Sequence, residues 1–363
     1  MAVSPDVVAS ALNELMPSYS ELFVKYHPLL EKVLKGGNMD RASLKGPKRE
    51  FAVVTAGPGT VTEIATGSEV IAGGRSQNAH RGTVIAPRLI YAFDVPGKDL
   101  AEANGEMDLA RILQHYPELA LDDFHTRISN QIGTGNGDGV GGFMTLNGTT
   151  TAAEFNPQGE TRRGILQAVA PASQAETIHN LTQATTAGWS NQYQHITNFE
   201  LNGRSQMRKA YYSASRQGKT LGPVDLMLGD EGSYLNYIDD LDDAVRVAKI
   251  EGDKSPANVR QGVKFLDADF FLDDSIDVDA TDAAAANYFS TRAQAGIIYG
   301  MKTPTWYQFT LGHDAAVETK GDFAVRGPFR IPDQDVYRYE LVLMMGMHTT
   351  QLRSNFVVTG ANN

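Results

Sequence analysis

The run Leu266–Asp282, LDADFFLDDSIDVDATD, is the densest set of oxygen donors in the chain. Carboxylates so spaced suggest a hard cation such as calcium, but an EF-hand loop needs an Asp-x-Asp/Asn-x-Asp/Asn-Gly core and a distal glutamate. This run has neither that glycine nor that glutamate. Asp267, Asp269, Asp277 and Asp279 alternate with apolar residues, which predicts a strand with its acids on the outward face. A weak divalent-cation role, or a carboxylate enzyme site within Asp267–Asp282, is the alternative.

The histidines at 27, 80, 115, 125, 179, 195, 313 and 348 are dispersed without metal-ligand spacing. The glycine run of IGTGNGDGVGGF looks like a phosphate cradle. Such cradles precede their helix and carry Gly-Lys-Ser/Thr, because the anion binds N–H groups at a helix start. Here the glycines follow a helical stretch, and no lysine lies between Lys98 and Lys209. His-Glu-x-x-His and Gly-x-Ser-x-Gly are absent too, and a chain without cysteine has no thiol catalysis, disulfide or Cys-based zinc site. Asn147-Gly-Thr and Asn180-Leu-Thr match glycosylation acceptors, but no secretory signal precedes them. The residues imply no catalytic site, no cofactor and no metal.

The net charge of −11 is localised: between Asp225 and Asp282 there are 16 acids and five bases, and the rest of the chain is neutral. That balance disfavours sequence-specific nucleic-acid binding. The segment Lys25–Arg49 is the exception, with seven bases against Glu31 and Asp40. It reads as a solvated arm that touches a polyanion loosely at most. With 42% hydrophobic residues the chain can bury a substantial core, and no run approaches the ~18 apolar residues of a membrane helix.

Residues 4–35 read as helical, broken at Pro17 and Pro28 and closed by Gly36-Gly37: an arm rather than a compact core. Phe51–Thr55 and Thr83–Phe93 read as strands flanking a Gly/Thr/Ser-rich excursion. This hairpin has few large apolar side chains, and two-stranded ribbons are marginal in water, so it is expected to lie against another subunit. Its balanced charges, Arg49, Glu50, Glu63, Glu69, Arg75, Arg81 and Arg88, are the candidate inter-subunit contacts. Apolar residues at helical spacing from Leu109 to Ile132 predict a long helix with Pro117 inside it. Further on, Ala175–Leu181 reads as a short helix. Arg204–Arg216 reads as a helix with Met207, Ala210, Tyr211 and Ala214 on one side. Pro223–Leu228 reads as a strand leading into a helix through Tyr234 and Leu241. Residues 263–279 read as one alternating strand, Gly296–Leu311 as a strand pair, and Asp335–Met347 and Asn355–Thr359 as closing strands. The order is α+β.

Taken together, these stretches resemble the major capsid proteins of tailed phages, of Hong Kong 97-type fold, over nearly the whole chain. The carriers are IGTGNGDGVGGF after the long helix, GPVDLMLGDEGSYLNYI, VKFLDADFFLDDSI, GIIYGMKTPTWYQFTL and VYRYELVLMMGMHTTQLRSNFVVTG. The resemblance implies an N-terminal arm (1–48), an extended loop (49–97) and a peripheral domain (98–195) with a spine helix (105–132). An axial domain (196–334) and C-terminal strands returning to the peripheral domain (335–363) complete it. It implies a non-enzymatic icosahedral shell of pentamers and hexamers, in a virion assembled in the host cytoplasm. Scaffold, portal and decoration proteins, and weakly held double-stranded DNA, are the implied partners; no membrane is. An encapsulin-like nanocompartment shell shares the fold and is the nearest alternative. Two departures stand out. Residues 49–97 hold no lysine for the family's lysine–asparagine cross-link, and only about fifty residues precede the loop, so N-terminal cleavage is not expected. The acidic segment falls in the implied axial domain, where like charges are expected to oppose assembly at low salt until cations or neighbouring arginines relieve them.

Overall fold

In the computed structural model, the described residues are 27–40, 48–54, 79–85, 88–98, 119, 122–124, 177–178, 181–182, 186, 188–217, 221–240, 263–273, 276, 296–310, 323–332 and 334–361. The arm before residue 27 and the excursion tip lie outside them. So do the long helix 105–132, apart from residues 119 and 122–124, which are helical, and its glycine-rich turn.

Pro28–Lys35 (α1) starts on proline, whose fixed φ and missing N–H suit a first helical turn. His27 Nδ1 accepts the Leu29 N–H at 3.2 Å, satisfying one of the orphan donors there. Gly37, at φ +71°, ends the turn in a conformation that suits glycine. The expectation of a solvated arm is corrected for this part: His27, Leu29, Leu30, Glu31 and Val33 are all buried. The apolar positions repeat at helical spacing, so one face of the helix docks on the rest of the protein.

Two sheets hold most of the described strands. Short β1 (Met39–Asp40) lies parallel to β12 (Trp306–Thr310). β2 (Lys48–Val54) and β3 (Ala79–Ile85) form an antiparallel ribbon. The expected strand 83–93 is two strands: β3 ends in that ribbon, and β4 (Arg88–Pro96) instead pairs antiparallel with the 14-residue β14 (Val336–Thr349). β14 also pairs with β12 and with β13 (Phe323–Arg330), completing a five-stranded sheet.

The second sheet has six strands, in the order β7 (Gln192–His195), β15 (Phe356–Thr359), β11 (Ile297–Met301), β8 (Leu226–Gly229), β10 (Ala268–Leu272), β9 (Val263–Phe265). Every residue of β8, β11 and β15 is buried. That explains their continuous apolar runs, since both sheet faces are covered. On one face lie α2 (Arg204–Arg216) and α3 (Glu231–Asp239), sharing a core with Met227, Phe265, Phe270, Ile298 and Phe356. α2 buries Met207, Ala210, Tyr211 and Ala214, the face its spacing predicts. Burial also pushes the phenols of Tyr211, Tyr234 and Tyr237 above their ordinary value.

Four further expectations change. Within the expected helix 175–181, Thr177–Ile178 (β5) instead pairs antiparallel with Leu181–Thr182 (β6), because β-branched Thr177, Ile178 and Thr182 favour extended backbone. In its described part, the expected strand 263–279 is the β9–β10 hairpin, turning at Leu266-Asp267 with Leu266 at φ 55°. Of the acids expected on one outward face, Asp267 is exposed at the turn and Asp269 partly buried, while Asp277 and Asp279 lie outside the described residues; Asp273, further along, is fully buried. β11 and β12 are not partners but belong to different sheets, as do β14 and β15. The closing strands expected together therefore part, and β15 sits between β7 and β11.

Candidate functional site

The sheets meet where the chain crosses between them twice. β11 passes to β12 through a 3₁₀ turn, Thr303–Thr305, and β14 passes to β15 through another, Leu352–Ser354. Fully buried Asn355 staples the two crossings. Its Oδ1 accepts the Lys302 N–H and the Trp306 indole N–H, both at 3.0 Å. Its Nδ2 donates to the carbonyls of Gln351 at 3.2 Å and Leu352 at 3.3 Å. Thr350 N–H adds a bond to the Thr305 carbonyl at 2.9 Å. Lys302 is fully buried and donates to the Gln217 carbonyl at 3.1 Å. Burial pushes its amine below the ordinary lysine value, with the Asp225 charge acting against that shift.

α1 is a third connection. Lys32 Nζ donates to the Asp225 carbonyl at 2.6 Å and to Asp269 Oδ2 at 2.7 Å. His27 Nε2 meets Asp273 Oδ2 at 3.0 Å, both side chains buried. Because Nδ1 accepts the Leu29 N–H, Nε2 carries the proton shared with that carboxylate. Asn38 Nδ2 reaches the Thr303 carbonyl at 3.3 Å, and Asp225 Oδ1 accepts the Thr303 N–H at 2.8 Å. Asp225 Oδ2 also accepts the Thr303 hydroxyl. Asp225, Asp269 and Asp273 thus serve this junction, and Asp269, expected on a strand's outward face, is turned onto Lys32 instead. No spacing rule links Lys32 to residues some two hundred positions away, so the sequence carried no signal of it.

Of the candidate inter-subunit residues, Glu50 and Arg81 face solvent and pair with each other across β2 and β3. Arg49 lies in β2 and Arg88 in β4; Glu63, Glu69 and Arg75 lie outside the described residues. The ribbon's root is anchored: the Phe51 ring lies 4.1 Å from that of His348, which stacks on Tyr307 at 5.4 Å. Opposite Phe51 stands Gly82, where a Cβ would come within 2.7 Å of the ring. Among the described residues no group of three or more His, Asp or Glu is arranged to hold a metal ion.

On the five-stranded sheet, Arg338 grips Asp94 in a two-pronged pair at 2.7 and 2.8 Å. The guanidinium's hydrogen bonds hold the Asp94 carboxyl below its ordinary value of 3.8. A depressed carboxylate contributes stability above its unfolded-state pKa and loses it as pH falls through the folded value. Asp94→Asn should therefore lower the melting temperature modestly at pH 7 and flatten its fall below about pH 4, so that variant and parent converge in acid. An unchanged acid limb in a pH series of thermal unfolding would show that the pair carries no linkage.

No family model and no curated protein matches the chain. Solved structures do. The cyanophage A-1(L) capsid asymmetric unit aligns at TM-score 0.59 with 11% identity, covering 92% of this chain and 93% of that one. The capsid of a native GTA particle aligns at TM-score 0.50 and 9% identity, covering 90% of each chain. A holo-SrpI encapsulin complex from Synechococcus elongatus aligns at TM-score 0.49 and 9% identity, covering 90% and 87%. At such identities the likeness is one of fold alone, and the chain has the capsid fold that its motifs resemble, the Hong Kong 97 type.

Proposed function

We propose that this chain is a shell-forming subunit, the major capsid protein of a tailed double-stranded DNA phage. The observation that carries this reading is the end-to-end alignment on a capsid subunit, 92% of one chain on 93% of the other. In this reading the six-stranded sheet with α2 and α3 is the axial domain and the five-stranded sheet belongs to the peripheral domain with spine helix 105–132. The β2–β3 ribbon is the root of the extended loop. A ribbon with no core of its own suits that role, since it gains stability by lying on a neighbour. Pentamers and hexamers of this chain would enclose the DNA, each stable contact burying on the order of 1,600 Å². Scaffold, portal and decoration proteins would be its partners, in a virion assembled in the host cytoplasm.

Negative-stain microscopy with size-exclusion chromatography of the purified chain tests this. Closed shells or capsomer rings are expected, and shells from infected cells should protect double-stranded DNA from nuclease. A monodisperse monomer across salt and cation conditions, with or without a co-expressed scaffold, overturns the reading. Shells carrying a cargo protein and no DNA favour a nanocompartment instead.

A further inference from the structure

We propose that the outer faces of α2 and α3 are two halves of one contact between copies of this chain, the α2 stripe of one subunit lying on the α3 stripe of its neighbour. The inference rests on the shell reading above and names the surfaces that close its rings. The outward positions of α2 include Arg208, Tyr212 and Arg216, four residues apart, with Lys209 beside them. Those of α3 are Glu231, Leu235 and Asp239 at the same interval. Residues at this interval form one stripe on a helix, and eight residues span about 12 Å. The first stripe runs cation, aromatic, cation; the second runs acid, aliphatic, acid. α2 contains no acid and α3 no base.

Their centres are open, with Tyr212 51% and Leu235 48% exposed. Neither Arg208, Lys209, Arg216, Glu231 nor Asp239 has an ion-pair partner among the described residues. The intramolecular pairing of these helices falls elsewhere, at Arg204 and Asp240, 2.6 Å apart. The neighbouring acids Asp225, Asp230, Asp269 and Asp273 are likewise bonded within the chain. Among the described residues nothing matches Glu231 and Asp239.

Two copies of the α2 stripe would set cations against cations, and two of α3 acids against acids. Only α2 on α3 matches both the charge and the apolar centre, an aromatic anchor rimmed by polar pairs. α2 runs from β7 and β15 across to Phe265 of β9, and α3 lies beside it over β10, joined to it by the Arg204–Asp240 pair. A contact joining unlike surfaces repeats head to tail, and it closes as a ring where its rotation closes.

The test uses the full chain in three forms: Arg208→Glu with Arg216→Glu, Glu231→Lys with Asp239→Lys, and all four together. These side chains are exposed and have no ion-pair partner among the described residues, so thermal unfolding of each variant should stay close to that of the parent. Each double reversal should raise the concentration needed for shells or rings at least ~10-fold, and the fourfold reversal should bring it back to within ~3-fold of the parent. Double reversals that assemble like the parent, or a fourfold reversal no better than the doubles, overturn the contact and leave the shell reading standing. A parent chain that forms no particle or ring overturns the shell reading and the contact with it.

Discussion

Asn355→Ala should lower the free energy of unfolding by about 3–5 kcal/mol, measured as the shift of a urea midpoint at constant slope. The side chain has no exposure, and its single oxygen serves two donors, the Lys302 amide and the Trp306 indole. Alanine leaves both buried without an acceptor, at about 1–3 kcal/mol each, and removes the Nδ2 donor from two carbonyls. The methyl group is too small to refill the site, and Trp306 beside it is fully buried. Because Asn355 joins both crossings between the sheets, shells of this variant should also be fewer or misshapen. A loss below about 1 kcal/mol would mean that the crossings are held by Thr350 and the strands alone.

Gly300→Ala should cost about 3 kcal/mol or more, and Phe356→Leu on top of it should return part of that loss. Gly300 lies directly across from Phe356 in the β11–β15 ladder. A Cβ there would stand 2.0 Å from one ring carbon and 2.2 Å from another. Phe356 is fully buried in the core shared with α2 and α3, so its ring cannot swing out to make room. Overfilling a packed core typically costs about 1–3 kcal/mol, and a contact this short belongs at or beyond the upper end. Leucine at 356 opens space for the new methyl, so the two changes should couple by at least ~1 kcal/mol in a double-mutant cycle. Strict additivity would place the strain somewhere other than this pair.

Much of the fold was legible where the determinants are local. Met207, Ala210, Tyr211 and Ala214 repeat at helical spacing, and all four are buried. The same holds for the apolar runs of β8 and β15 and for Pro28 and the glycines around α1. Reading failed where a neighbour in space decides. Residues 175–181 have a helical count of apolar positions, but Thr177, Ile178 and Thr182 pair across a tight turn instead. Gly296–Leu311 contains two strands as expected, yet no pattern within it says that they join different sheets. The candidate contacts of residues 49–97 were chosen for charge balance. Of these, Glu50 and Arg81 neutralise each other within the ribbon.

The sequence by itself determined the α+β order of elements, and its motifs resemble the capsid fold that the chain adopts, because periodicity and turn chemistry are short-range properties of the chain. Only the tertiary structure decided where the charges act. It turned Lys32 and His27 of a supposedly solvated arm onto Asp269 and Asp273, and left the stripes of α2 and α3 without ion-pair partners among the described residues. Charge pairing depends on distances of a few ångströms between residues hundreds apart, and composition cannot distinguish an acid neutralised inside the fold from one facing outward.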